Sequence, residues 1–570
     1  MGSRPTDTIH HVEPGVSVKG GNWTDSIHLR GLAATDGHLP LRTPSAKVCA
    51  TLARHPQQHF GEIMRLRRVL LALLTVAIAG ASVFLHAQAI PLGDFDSHAD
   101  VGSPKIPGSA AFNPVSQEYT ITAAGTNMWA QRDEFHAVWK RLRGDFILQT
   151  RVQLIGKGVE AHRKAGLIVR SSQDFDAAYA DGVVHGEGLT SLQFRRSKGA
   201  ITEEKQAAIK GADVLQLERR GSTFIFSAAK FGEPFVDTEV SNIDLGDEVL
   251  VGLALCSHNP DVVERAVFSN VRIIRPAKAD FVPYRDYIGS VLELLNVQTG
   301  HRMAIHRSQQ PFEAPNWTTD GSALIYNGSG RGETRGRLFR FDLATRQPTP
   351  METGTVTRAN NDHVISFDGK MLGISDGSGN ASTIYTVAVG GGTPKRITPL
   401  TPSYLHSWSP DGKWLVYTGG RNKEFDIYRI ASDGSGTEEN LTNTPGLDDG
   451  PEYTPDGKYI YFNSLRGGAT MQIWRMTADG KNPEQITNDE LNNWFPHISP
   501  DGQSIVFISF PKLPDPSDHP YYKRVYLRVM PIDGGTPKVI AYVYGGQGTI
   551  NVPSWSPDGK MLAFVSNSGE

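Results

Sequence analysis

One phrase recurs through the second half of the chain and sets what that half can fold into. It stands most fully in Trp408-Ser409-Pro410-Asp411-Gly412, and variants end at Asp320-Gly321, Asp368-Gly369, Asp456-Gly457, Asp501-Gly502 and Asp558-Gly559. Successive Asp residues of the phrase lie 48, 43, 45, 45 and 57 positions apart. A fixed period of roughly 40–50 residues with short strands marks a β-propeller, one four-stranded blade per period.

The phrase reads as a tight hairpin turn. Pro presets φ near −65°, Asp tolerates the next position, and Gly supplies the positive φ that closes the turn. Alternating strands follow it, as in Trp414-Leu415-Val416-Tyr417 and Tyr459-Ile460-Tyr461-Phe462. A third strand comes next, as in Asp426-Ile427-Tyr428-Arg429-Ile430, then a second Gly turn such as Asp433-Gly434, then a fourth strand.

The rest of the 570 residues must hold more than one further unit. A formal charge of −3 gives no electrostatic case for nucleic acid, and Cys49 and Cys256 are too few for a disulfide framework or a cysteine zinc site. Residues 1–63 lack sustained periodicity and are expected to be a disordered or mis-called extension. Met64-Arg65-Leu66-Arg67-Arg68, the apolar run from Val69 to Phe84 and Ala87-Gln88-Ala89 have the layout of a secretory signal, placed at 64–89. Cleavage would start the mature chain at Ile90 and export it to the periplasm or beyond; membrane contact follows only if the segment stays uncleaved.

Residues 93–276 carry strand-like runs and no Asp-Gly repeat. Examples are Phe146-Ile147-Leu148-Gln149-Thr150-Arg151-Val152 and Val249-Leu250-Val251-Gly252-Leu253-Ala254. Eight or more strands with almost no helix predict a sandwich of two antiparallel sheets. The phrases Gly144-Asp145-Phe146, Lys164-Ala165-Gly166-Leu167-Ile168-Val169-Arg170, Leu217-Glu218-Arg219 and Phe268-Ser269-Asn270-Val271 resemble the concanavalin-like, laminin-G-like jelly rolls attached to many exported bacterial proteins. That resemblance implies a fold and leaves open sugar binding, protein binding or spacing. Trp129, Phe135 and Trp139 are read as core residues ahead of a sugar-stacking platform.

Residues 277–288 read as a linker, and the propeller as 289–570. Its start, around Val291 to Ile305, offers a hairpin without an inner pair of strands; its end, around Val552 to Val565, offers an inner pair without outer strands. Together they make six blades, closed by strands from both ends of the domain. The expectation is therefore an all-β chain, a jelly-roll sandwich followed by a six-bladed propeller. The Pro-Asp-Gly blades resemble the TolB-like propellers, with Thr318-Thr319-Asp320-Gly321 and Ser366-Phe367-Asp368-Gly369 departing by the loss of Pro. Related propellers serve as periplasmic interaction proteins, peptidases and sugar lyases, so the fold does not choose a function.

Counting back from each Asp, position −3 is bulky: Trp317, Ile365, Trp408, Tyr453, Ile498 and Trp555. Strand alternation turns position −4 towards the central channel, where Glu452 and His497 stand out among Asn316, Val364, Ser407 and Ser554. Glu452 and His497 are the candidate acid/base pair. The loops leading into the inner strands add Asp448, Asp449, Asn492, Asn493, Trp494, Gln547 and Asn551, and a Pro-rich insertion at 510–522 adds His519 and Tyr521. These nine are candidate ligand-binding residues, over blades four to six. His363, His406 and His497 would hold one divalent metal if the site were metal-assisted; His363 and His406 stand at −5, on the packing side by alternation.

No Gly-x-Ser-x-Gly elbow precedes a helix, and no P-loop or dinucleotide fingerprint appears in a strand–helix context. Two functions fit. One is non-catalytic recognition of a glycan or cell-envelope protein at the propeller mouth. The other is a carbohydrate-active lyase or hydrolase using His497 and Glu452 or a bound metal.

Overall fold

The computed structural model describes residues 92–282, 285–328, 336–379 and 381–569. The extension at 1–63, the signal segment at 64–89 and Cys49 lie outside the described residues. All regular elements among those described are strands.

Residues 97–274 build two seven-stranded antiparallel sheets. One is centred on Lys164–Arg170, paired on either side with Glu248–Cys256 and Tyr179–His185. The other is centred on Phe146–Leu154, paired with Val214–Arg220 and Asn259–Ile274. Val138, Leu167 and Leu253 of the first sheet and Leu148, Leu217 and Phe268 of the second share one hydrophobic core. Phe135 and Trp139 are buried in a second cluster on the outer face of the first sheet.

The six-bladed propeller follows. Five four-stranded sheets start at Phe312, Ala359, Ser403, Asp448 and Asn492. The sixth sheet is assembled from Arg302–Ser308, Gly289–Asn296 and Met561–Ser568, in that order, with Trp555 bridged to Leu562 at its inner edge. Gly289–Asn296 pairs with Met561–Ser568 over its whole length, Gly289 opposite Ser568 and Asn296 opposite Met561.

The recurring turn is the same in all six blades. Its Gly sits at φ between 68° and 72°. The Ser or Thr two places before the Asp donates to the Asp carboxylate, as in Ser409 Oγ to Asp411 Oδ1 at 2.7 Å. The same carboxylate oxygen accepts from the N–H two residues on, and the hydroxyl accepts from Trp414 N at 2.9 Å. Thr318–Asp320 and Ser366–Asp368 repeat the arrangement without Pro. The hydroxyl, not the imino acid, is thus what the turn requires.

The inner strands are stitched across the seams between blades. Asn316 Oδ1 accepts from Ile365 N, Ser407 Oγ from Tyr453 N and Glu452 Oε1 from Ile498 N, at 3.0, 3.3 and 2.8 Å. In return, the indoles of Trp408 and Trp555 donate to the carbonyls of Val364 and His497 at 3.0 and 2.9 Å. In these three blades position −4 therefore caps the backbone of the next blade.

The paired sheets and the propeller fall within one compact unit, residues 89–570. At their seam Glu293, on the sixth blade, accepts from Arg272 of the sheets and from Arg302, with oxygen–nitrogen distances of 2.5 and 2.7 Å. All three are buried. Burial works to raise the Glu293 carboxyl, and the two guanidinium charges overcome it, holding the group well below the usual carboxylate range. Arg302 also donates to Gln149 and to the Tyr542 carbonyl, Arg524 reaches Asp237, and Tyr542 Oη donates to Glu233 O. The stretch read as a linker is tied down as well: Ala277 N donates to Tyr544 Oη and Ile288 N to Tyr522 Oη.

Candidate functional site

Each of the five complete blades has a register shift in its first strand pair. The shifts fall between Glu313 and Asn316, Ala359 and His363, Leu405 and Ser407, Asp449 and Glu452, and Trp494 and His497. Ala314, Gly450 and Phe495 take positive φ there, at 56°, 63° and 52°. A bulge inserts one residue and re-aims what precedes it. Alternation counted back from the turn therefore holds to position −4 and fails beyond it. This is why the packing-side assignment of His406 is corrected: its ring faces the mouth.

Around the mouth, consecutive blades bring in Glu313, Asp362, His406 and Asp449. His406 Nε2 lies 3.2 Å from Asp449 Oδ1. That oxygen also accepts from Thr418 Oγ1 and Gly450 N, at 2.6 and 2.8 Å. Burial would depress the His406 imidazole, but the hydrogen bond and charge of Asp449, with the charge of Asp362, carry it above its ordinary value. Burial likewise works to raise Asp449, and the bond and charge of His406, then the charge of His519, hold it down. Asp362 has no salt bridge among the described residues; its Oδ2 accepts from Asn360 Nδ2 at 2.9 Å. Burial pushes its carboxyl up to about 7; the charge of His406 opposes the rise, and those of Asp449 and Glu313 add to it.

The other two blades supply the walls. Phe495 stacks on the His406 ring at 5.9 Å. His519, from the insertion, packs on Trp494 and Phe495 at 4.5 and 5.4 Å, and its buried Nδ1 has no hydrogen-bond partner. The sixth blade contributes Gly548, whose carbonyl accepts from Ala314 N at 2.8 Å. A Cβ on Gly548 would fall 2.4 Å from the Glu313 side chain, so only glycine lets Glu313 pass beneath the loop. Gln547, half-buried, takes Asn551 Nδ2 at 3.3 Å, while Asn551 Oδ1 accepts from Gly548 N.

Other residues proposed from the sequence are placed differently. His497 and Glu452 do meet, Nδ1 to Oε2 at 2.7 Å, but Nε2 faces the Ile550 carbonyl and both side chains are buried. With both ring nitrogens and both carboxylate oxygens committed, the pair is a blade-to-blade strut. Asp448 is buried against Arg466, and Asn492 Oδ1 accepts from Met471 N. Asn493 sits within a buried network with Gln472, Thr487, Asp489, Ser509 and Arg528. Trp494 is fully buried in the core of blade five. Tyr521 is buried beside Tyr287 and Tyr522. Of the nine, Asp449, His519, Gln547 and Asn551 belong to the mouth.

The three histidines do not converge as metal ligands. His363 is enclosed in blade two with Nε2 on the Ile325 carbonyl at 3.2 Å, and burial pushes its ring down to about 4. His406 faces Asp449, and His497 faces Glu452 and Ile550. Sequence reasoning passed over Glu313 and Asp362. The available signal was an Asp, Glu or His five to seven places before the turn Asp in four consecutive blades.

The TolB beta propeller domain model matches residues 406–513. An uncharacterised protein of Agrobacterium fabrum is 44% identical over 278 residues, which is 48% of this chain and 92% of that protein. The Tol-Pal system protein TolB of Francisella tularensis is 28% identical over 290 residues, and the match spans 61% of its length. A solved structure from Agrobacterium tumefaciens, 42% identical, is covered in full by half of this chain with a TM-score of 0.47.

Proposed function

Because the chain belongs to the family of TolB-like β-propeller proteins, we propose that it is an exported, envelope-associated recognition protein, and that its propeller mouth receives a cationic group of a protein partner. The observation that carries this reading is that bulges turn the carboxylates of Glu313, Asp362 and Asp449 onto one mouth, where His406 and the charge of His519 serve Asp449 while Asp362 stays high. An arriving Lys or Arg side chain would offset the burial that keeps Asp362 high, together with the lesser repulsion from Asp449 and Glu313. The matched relative named for the Tol-Pal system supports a protein partner. The signal-like segment at 64–89 supports export.

A glycan site at blades four to six loses its support, since Asp448, Asn492 and Asn493 are buried and hold Arg466, Met471 N and the Gln472 network internally. Acid/base catalysis by His497 and Glu452 is disfavoured by the same accounting. We read the paired sheets as a concanavalin-like jelly roll that presents the propeller, and the pairing of Gly289–Asn296 with Met561–Ser568 as the closure of the ring.

The test is site-specific photo-crosslinking in the native host, from a probe at Gln547. The expected product is one dominant envelope-protein adduct, lost in Asp449→Asn and in Glu313→Gln and weakened by salt. Adducts unchanged by both substitutions would refute the mouth as the binding site.

A further inference from the structure

A group of metal-type side chains lies outside the propeller, at the strand ends of the first seven-stranded sheet. His162 precedes the strand Lys164–Arg170, His185 ends the strand Tyr179–His185, and Glu187 sits on the turn that follows. The backbone fixes their relation. Lys164 is in register with His185. Beyond that pair, Gly186 N donates to Arg163 O at 2.8 Å and Glu187 N to Ala161 O at 3.0 Å. The ladder thus continues past the strand ends and holds the three side chains on one side.

Their donor atoms converge. His162 Nδ1 is 3.5 Å from His185 Nδ1 and 3.2 Å from Glu187 Oε1, and all three lie within 4.8 Å of one another. Four ligands at about 2.0–2.1 Å around a tetrahedral ion stand about 3.3–3.4 Å apart. The two measured edges therefore already match such a coordination shell. His185 is buried, with Nε2 3.4 Å from the amide nitrogen of Gln193, a contact that must give way to an acceptor when Nδ1 takes an ion and the proton sits on Nε2; His162 and Glu187 are about half exposed and can close on an arriving ion.

We propose that His162, His185 and Glu187 form a binding site for one divalent transition-metal ion of the zinc class, with a fourth position open to solvent. Two imidazoles and one carboxylate are a borderline-soft set, which suits zinc-like ions and not calcium or magnesium. The charge of Lys164 acts on His185, and the charges of Asp181 and Glu204 act on Lys164 in turn. The open position leaves room for a water or for a donor group on a bound partner. This assignment stands apart from the mouth and does not depend on it.

The test uses the purified full chain, stripped with a chelator and titrated with Zn2+ by calorimetry and with Co2+ by visible absorption. The expected result is one ion per chain and the absorption of tetrahedral cobalt. Loss of an outer partner costs 10–100-fold in metal affinity at known sites, so His162→Ala and Glu187→Gln should each weaken binding about 100-fold or more. Both side chains are partly exposed, so the metal-free melting temperature should hold in each variant. Absence of stoichiometric zinc uptake by the unmodified chain would overturn the site. Zinc retained by both variants and lost in Asp449→Asn would also overturn it, by moving the ion to the propeller mouth.

Discussion

Across the seam between the third and fourth blades, His406 offers Nε2 to Asp449 at 3.2 Å, while Asp362 of the second blade accepts only from the neutral amide of Asn360, at 2.9 Å, and faces the pair without a salt bridge among the described residues. The mouth is therefore an unequal arrangement: one carboxylate is held low, another is held high, and the imidazole belongs to the first.

Asp362 sets a pH dependence. Its folded value of about 7 lies above that of an unfolded aspartate, so the folded state binds more protons between about pH 4 and 7. Stability should fall as pH rises through that window and level off above it. Asp362→Asn removes the cost of charging, so it should melt higher than the parent at pH 8 and show little gain at pH 5. A difference in melting temperature that ignores pH would contradict the assignment.

His406→Ala leaves Asp449 buried without its counter-charge. Breaking a buried pair from one side costs about 3–5 kcal/mol. Chemical denaturation should show a loss of that order at pH 7, reduced in Asp449→Asn/His406→Ala, where no lone charge remains. Equal losses in the single and double variants would mean that the two side chains are not coupled.

The turn aspartates predict acid sensitivity. Asp320, Asp368, Asp411 and Asp456 are each held at about 2, first by the preceding Ser or Thr hydroxyl or, for Asp456, by Lys458 ahead of its Thr. A depressed folded value stabilises above the unfolded value, and that stabilisation is lost as pH falls from about 4 to about 2. The melting temperature should drop through this window. Ser409→Ala should move the Asp411 titration back towards pH 4, readable by carboxylate NMR shifts; an unmoved titration would exclude the hydroxyl as its cause.

Deleting residues 289–308 removes two strands of the sixth sheet and exposes the edge of Met561–Ser568. The shortened chain should aggregate or melt far below the parent. A monomer with an unchanged melting temperature would disprove closure by the two ends of the domain.

Much of the propeller was legible because its period is written in short-range chemistry. Asp and Gly at fixed spacing mark the turns, and alternation from each turn correctly picks the bulky row at −3. The pairing of Glu452 with His497 was legible too, because −4 lies between the turn and the bulge. Its meaning was not: nothing in the sequence says that Ile498 N and the Ile550 carbonyl would claim the remaining atoms. Beyond −4 the reading failed for a geometric reason. A bulge is a backbone event with no fixed residue signature, taken by Ala314, Gly450 and Phe495 alike. Without it, His406 was turned to the wrong face, while Glu313 and Asp362 were never grouped. The seam at Glu293 was out of reach for another reason, since Arg272 and Arg302 come from two units that the sequence presents as separated by a linker.

That seam has a consequence for reach. Two modules on a tether explore many separations, and the effective concentration of one near the other is set by tether length. Here Arg272 and Arg302 grip one buried carboxylate, and Ala277 and Ile288 are each bonded to a propeller tyrosine. The distance from the histidines of the sheets to the mouth of the propeller then behaves as a fixed ruler. A partner engaging both ends must match that length in its own structure, and one that does not gains nothing from the second contact.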